Sequence, residues 1–279
     1  MNWMDPVWRD WLLTWPLLLF FFAIGQELRT ELTHTTDKKH LVVPVSAALG
    51  GMLFPATIYL ILAHFFGAPS MAWGVPMATD LPMVLIFLSI FPSLQQKRLR
   101  IFLITLAIAD DLGSILVLGI VGSAHGGIHP TIAGALLGFL WGGRWHSLMK
   151  KIANFVVMPL FLLAAFSVHF TISMHAFTDP LVWNLIVARI VGKPLGIMVG
   201  ALLGYWILKI KQNSGLRLTM KELWLCGALA TLGLSVSVVF ISVIFSDEAQ
   251  QALAMTATVA TIFIASIRLV VMRLLSNKN

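Results

Sequence analysis

The sequence predicts an all-α integral membrane protein of about nine transmembrane helices, arranged with inverted three-helix repeats and containing two discontinuous helices. Three observations carry that prediction. The first is composition: of 279 residues, 58% are hydrophobic and only 11% charged, against about 25% charged in an ordinary soluble domain. The mean hydropathy of +0.89 agrees. The second is that the apolar residues form continuous runs rather than alternating ones, which selects helices over a barrel. The third is where the basic residues stand between those runs.

Nine runs fall near residues 11–28, 41–65, 73–91, 100–122, 129–145, 153–171, 182–208, 222–245 and 250–271. Each is about as long as a bilayer-spanning helix needs to be. The fifth is the shortest and least apolar, and it leaves counts of eight or ten open. The connectors test the count. Arg29, Lys38 and Lys39 follow the first run; Lys97, Arg98 and Arg100 follow the third. Arg144, Lys150 and Lys151 follow the fifth, and Lys209, Lys211, Arg217 and Lys221 the seventh. Arg268, Arg273 and Lys278 close the chain, whereas the opposite side collects Arg9. Under the positive-inside rule the N-terminus is outside and the C-terminus cytoplasmic.

The net charge of +7 is therefore a topological signal and does not point to nucleic acid. A single cysteine, Cys226, excludes a disulfide within the chain and a multi-cysteine metal site. Residues 1–10 hold Asp5, Arg9 and Asp10, which is not the basic lead-in of a secretory signal. None of the eight histidines shows metal-ligand spacing, and neither a phosphate-binding loop nor a nucleophile elbow is evident. The expectation is a non-enzyme without a cofactor.

Two runs look interrupted. In the third, Pro76 and Pro82 bracket Thr79 and Asp80, and each proline removes a backbone donor. In the eighth, Thr231, Gly233, Ser235 and Ser237 cluster small residues. These are the middle members of two three-run blocks, 41–122 and 182–271, which cross in opposite senses within one transporter domain, 1–279. Paired interruptions at corresponding positions are a sequence pointer to a transport site. Kinked membrane helices are common, so each interruption taken singly is equally well a structural kink.

The fourth run carries Asp110 and Asp111 near its centre. Burying one carboxylate at that depth costs about 3 kcal/mol on insertion scales. Two adjacent ones cannot cheaply both ionise, so one holds a proton readily. A cation or proton site accounts for the pair better than a satisfied polar contact between helices. Asp80 and Lys193 also lie at mid-span. They either compensate the unpaired backbone groups of broken helices, or Lys193 pairs with an aspartate and releases its proton when a cation displaces it. Arg189 is four residues before Lys193 and shares its helix face; the expected role is structural, reaching the outer interface or a carboxylate. Glu27 and Glu31 share a face at the end of the first run, as a solvated helix end or as an acidic funnel that gathers cations or senses pH.

These motifs resemble those of the bacterial NhaA-type sodium/proton antiporters. The resemblance rests on Gly50-Gly51-Met52 with Pro55-Ala56, Ala78-Thr79-Asp80, Leu106 to Gly113 around the aspartate pair, Gly192-Lys193-Pro194-Leu195-Gly196-Ile197, and Gly25 to Leu32. It implies that Asp111 is the principal ligand of Na+ or Li+, that Asp110 is its partner, and that the two are coupled to Lys193. Asp80 would then sit where the two discontinuous helices cross at mid-membrane. The resemblance further implies a multi-pass protein of the bacterial inner membrane that contacts lipid and serves pH and sodium homeostasis by antiport. Members have twelve spans against nine here, the expected shortening including the N-terminal region used for homodimer contact. Thr30 stands where many members carry a basic residue.

Two other functions compete with antiport: a transport-inactive relative with a structural or regulatory role, and a carrier moving an organic anion with Na+. The topology is directly testable. A reporter fused after Asn279 is expected in the cytoplasm, and cysteines placed near Asn2 or in the 124–128 connector are expected to react with impermeant thiol reagents from outside. Outside labelling near Lys150 would overturn the span count.

Overall fold

A computed structural model describes residues 18–19, 22–23, 25–26, 29, 39–80, 84, 97–123, 130–141, 148, 151–152, 156, 174–210 and 217–276. Among these residues there is no strand. The long elements, in chain order, are α1 (Lys39–Phe66), a 3-10 segment (Ser70–Met77), α2 (Lys97–Ser123) and α3 (Pro130–Trp141). After a 3-10 turn at Met174–Thr178 come α4 (Pro180–Val187), a π-helical turn (Ala188–Gly192) and α5 (Lys193–Ile207). The chain continues with α6 (Met220–Ala230), α7 (Ser235–Ile244) and α8 (Glu248–Ser276).

Three stretches, Leu41–Phe66, Pro180–Ile207 and Glu248–Val271, are long and apolar enough to cross a membrane. They begin and end within about two residues of the corresponding apolar runs, inside the usual scatter of helix boundaries. Their outward faces carry large apolar side chains in numbers that water does not tolerate on one surface: Leu49, Leu53 and Ile61 on α1, and Phe263, Ile267 and Val270 on α8. This is an all-α membrane protein. The runs expected at 11–28 and 153–171 lie mostly outside the described residues.

The chain forms two compact units, one of residues 1–36 and 115–170, the other of residues 37–114 and 171–279. In the first, Arg29 donates to the Phe139 and Leu140 carbonyls at 3.1 and 2.8 Å. These carbonyls belong to the last turn of α3, which lacks internal donors, and a cation there also opposes the helix dipole.

The second unit is organised around α5. Gly192, Gly196, Gly200 and Gly204 recur every four residues and so line one face. A Cβ on Gly192 would press on Pro55, one on Gly196 on the Gly50 carbonyl, one on Gly200 on Ser46 and Ala47, and one on Gly204 on Val43 and Ser46. The contacts ascend α5 while descending α1, so the two helices are antiparallel and touch backbone to backbone. Small residues at fourfold spacing permit that approach inside a membrane, where lipid supplies no hydrophobic drive for association.

Ile197 of α5, which packs on Gly51 of α1, joins Val43, Ala47 and Ala48 of α1 in a core with Leu99, Leu103 and Leu106 of α2, Leu229 of α6 and Leu269 of α8. At one end of this core Thr219 and Glu222 form a reciprocal capping box at the start of α6, satisfying two orphan donors. Arg98 at the start of α2 pairs with Glu222 at 2.8 Å. The basic connectors around Arg98 and Arg217 therefore lie at the same end of the unit, and α2 and α6 both start there.

The α1–α5 contact makes a clear prediction. A methyl at Gly196 meets backbone, which cannot step aside, so Gly196→Ala is expected to cost about 1–3 kcal/mol and Gly196→Leu more. Thermal unfolding in detergent checks this. A Gly196→Leu protein that melts with wild type would contradict the helix contact.

Candidate functional site

Two breaks in helical backbone meet in the second unit. The 3-10 segment ends at Met77, after which the chain is extended through Ala78, and Val84 N–H donates to the Asp80 carbonyl at 3.0 Å. The other break separates α6 from α7 at residues 231–234. There Thr231 closes the end of α6, its hydroxyl donating to the Ala228 carbonyl at 2.6 Å. Gly233 rests directly on Ala78: a Cβ would collide with the Ala78 carbonyl and lie 3.2 Å from Thr79 Cα. Glycine is required here by the close approach of two backbones. Thr79, fully buried, donates to the Ala230 carbonyl at 3.4 Å and links one break to the other.

A helix that stops inside an apolar bundle leaves carbonyls without donors, and each costs about 1–3 kcal/mol if unmet. Two cations meet them. Lys193 is completely buried; its Nζ donates to the Met77 carbonyl and to Asp110 Oδ2 at 3.0 Å. Arg189 is also buried. Its Nη1 donates to the Gly233 carbonyl at 2.8 Å and its Nη2 to the Val75 carbonyl at 2.7 Å and to the Ser237 hydroxyl. The expectation that Arg189 reaches the outer interface or a carboxylate is thus replaced by two backbone carbonyls, one at each break. The physical reason is that a carbonyl left at the end of a helical segment lacks an intrahelical donor, and the buried guanidinium supplies one to each.

The local sequence explains why both cations face the breaks. Pro194 has no N–H to donate to the preceding turn, and the turn before it is π-helical. Such a bulge inserts an extra residue and is common at functional sites. Gly192 and Gly196 take the α1 side of the helix, leaving Arg189 and Lys193 for the other.

Asp110 and Asp111 are both buried on α2. Of the two, Asp110 makes the described ion pair with Lys193. Its other oxygen, Oδ1, is buried and accepts no hydrogen bond from a described residue. Asp111 lies close enough for its charge to act on Lys193. Ser114, one turn further along α2, is buried with its hydroxyl unpaired among the described residues. Asp80 is buried as well. The backbone of Ser235 starts α7, but its side chain, like all of Glu27 and Glu31, lies outside what is described. Sequence reasoning named Ser237 in the small-residue cluster of the eighth run without giving it a role at the site, and omitted the Val75, Met77 and Gly233 carbonyls. Ser237 had a signal: it follows Gly233 by four residues, the spacing at which a serine bonds back to a carbonyl, and it does so at 3.1 Å.

Buried carboxylates beside a lysine and interrupted backbone form a place where a small cation can be stripped of water and met by oxygen. The sequence comparisons point the same way. Residues 7–125 and 121–275 match the family described as Na+/H+ antiporter 1. The chain belongs to this family. Relatives carry names of the same kind. "Na(+)/H(+) antiporter NhaA 2" of Frankia alni is 31% identical, over 85% of this chain and 61% of its own length. "Na(+)/H(+) antiporter NhaA 1" of Clostridium beijerinckii is 27% identical over 94% of this chain and 80% of its own. "Na(+)/H(+) antiporter NhaA" of Bifidobacterium adolescentis is 27% identical over 83% of this chain and 67% of its own. The chain thus spans less than two thirds of the Frankia relative's length.

In this NhaA-type chain the Lys193–Asp110 pair is buried on both sides and costly to break. Removing one partner of a buried ion pair costs about 3–5 kcal/mol, whereas removing both costs far less. Lys193→Gln is therefore expected to lower thermal stability sharply, and the Asp110→Asn/Lys193→Gln double variant to regain much of the loss. A double variant as unstable as the sum of the two single ones would remove the pair from the account.

Proposed function

We propose that this chain is a secondary active antiporter of the bacterial inner membrane, exchanging cytoplasmic Na+ or Li+ for external H+. The observation that carries the reading is the buried Lys193–Asp110 ion pair, next to Asp111 and between two broken backbone segments. The names of the relatives supply the substrate class. Membrane lipid, Na+, Li+ and H+ are the partners of the proposed cycle, which uses no cofactor and no enzyme active site.

In the proposed mechanism Asp111 is the principal cation ligand and Asp110 the second. With no cation bound, Lys193 neutralises Asp110 and a proton occupies Asp111. An arriving cation takes over as counter-charge to both carboxylates, so the Asp111 proton leaves and Lys193 loses its partner. Cation and proton cannot occupy the same carboxylates together, so competition couples the two fluxes once the site is exposed alternately to each side. Asp80 and Lys193 balance the partial charges of the broken segments, while Thr79, Thr231, Gly233 and Ser235 shape the breaks. Glu27 and Glu31 are assigned to a cytoplasmic funnel for cations.

The architecture belonging to this reading is one transporter domain of about nine helices with the N-terminus outside. Its inverted three-helix units are 41–122 and 182–271, with the two discontinuous helices crossing at mid-membrane. A second copy of the chain is the protein partner to look for.

Proton movement in proteoliposomes after addition of Na+, Li+, K+ or an organic anion tests the proposal. Na+ and Li+ are expected to drive protons and K+ not to. Asp111→Asn is expected to abolish the response while leaving the protein inserted, because the amide removes both the charge and the exchangeable proton, and Asp110→Asn to be nearly as damaging. Wild-type transport in Asp111→Asn would end the site assignment.

A further inference from the structure

Lys193 has two tasks that conflict. A residue that fixes stranded carbonyls must stay charged and in place, whereas one that pairs with Asp110 must give way when a cation arrives. Arg189 resolves the conflict. Its guanidinium spans both breaks, donating to the Val75 carbonyl on one and to the Gly233 carbonyl on the other. Ser237 completes the contact, accepting from Arg189 and donating to the Gly233 carbonyl at 3.1 Å. Arginine suits the place because its donors form a rigid fork and it does not deprotonate in proteins. A lysine ammonium is a point charge on a flexible stem, suited to moving between partners.

We infer that Arg189 is a positioning residue of the cation site. It fastens the two interrupted segments to each other with a permanent charge, and so leaves the Lys193 ammonium available to leave Asp110. The assignment deepens the antiport reading and rests on it for its transport consequence. The fastening itself stands on the contacts among Arg189, Val75, Gly233 and Ser237. Arg189 touches no carboxylate in the described contacts and is not a ligand, so its effect on cation affinity passes through the geometry of the breaks.

The test uses the whole chain as wild type, Arg189→Lys, Arg189→Met and Ser237→Ala, each purified in detergent and reconstituted. Arg189→Lys keeps the charge but loses the fork. In it the amides of residues 231–234 are expected to exchange with deuterium faster than in wild type, and the KM for Na+ to rise about tenfold, the lower end of what losing an outer supporting contact costs a metal site. The maximal rate of the folded protein should change by less than about twofold, because the carboxylates and Lys193 are untouched. Ser237→Ala should shift exchange and KM in the same direction by less, and Arg189→Met by more. A purely structural role would instead lower melting temperature and yield while leaving the KM of the surviving protein at the wild-type value, and that result overturns the inference. If Arg189→Met does not fold, Arg189→Lys and Ser237→Ala decide by the same two readouts. If wild type itself moves no protons with Na+, the antiport reading fails, and exchange at residues 231–234 still decides: wild-type protection in folded Arg189→Lys removes the fastening too.

Discussion

Backbone polarity inside an apolar bundle is the constraint on which the rest of this structure depends. A continuous membrane helix hides its carbonyls in its own ladder, but a helix that stops part-way must find donors elsewhere. Here the stranded groups belong to Val75, Met77 and Gly233, and the donors are two cations one turn apart on a single helix. Burying two cations side by side is costly. Aspartate charge offsets part of it: Asp110 pairs directly with Lys193, and its field also reaches Arg189. Broken backbone, buried cations and buried carboxylates therefore belong to one electrostatic arrangement.

That arrangement requires the helix holding the cations to be fixed in rotation as well as position. The glycine stripe from Gly192 to Gly204 does this by bringing α5 against the backbone of α1 between Pro55 and Val43. A small-residue face has one well-packed orientation, and turning the helix would drive side chains into backbone. The π-helical turn at Ala188–Gly192 contains Arg189 and ends immediately before Lys193. The alternation of glycine with charge in Gly192-Lys193-Pro194-Leu195-Gly196 records a helix with two duties, packing on one face and charge compensation on the other.

The sequence made legible those features that depend on composition and periodicity. The long apolar stretches at 41–66, 180–207 and 248–271 coincide with runs read from hydropathy, because a bilayer sets both length and apolarity. Prolines around Asp80 and small residues around Gly233 marked the places where backbone is broken in the structure. The aspartate pair stood out because a charge in an apolar run is expensive enough to need a reason. Partnership was less legible. Periodicity puts Arg189 and Lys193 on one face but cannot say that Arg189 meets carbonyls 114 and 44 residues away. Nor can it choose between Asp110 and Asp111 as the partner of Lys193, since neighbours on a helix point about 100° apart and the choice depends on how α2 is rotated. The capping of α3 by Arg29 across 110 residues was hidden for the same reason.

The two buried cations differ in what can be done with them. Arg189 bridges two pieces of backbone that must stay together, and its donors are directed along fixed lines. Lys193 bridges one backbone carbonyl and one carboxylate, so half of its partnership is with a group whose charge can be matched by another cation. In the proposed cycle a monovalent ion between Asp110 and Asp111 presents the same charge to Asp110 as the ammonium does, and the two compete for that carboxylate. The outcome is then set by small differences in geometry and hydration rather than by the large absolute energies of burial, which are common to both states. A site built this way can pass between its loaded and unloaded forms without crossing the full cost of an unpaired buried charge. In the proposed antiport cycle that property separates an exchange site from a static ion pair, with Arg189 holding the backbone in place while Lys193 changes partner.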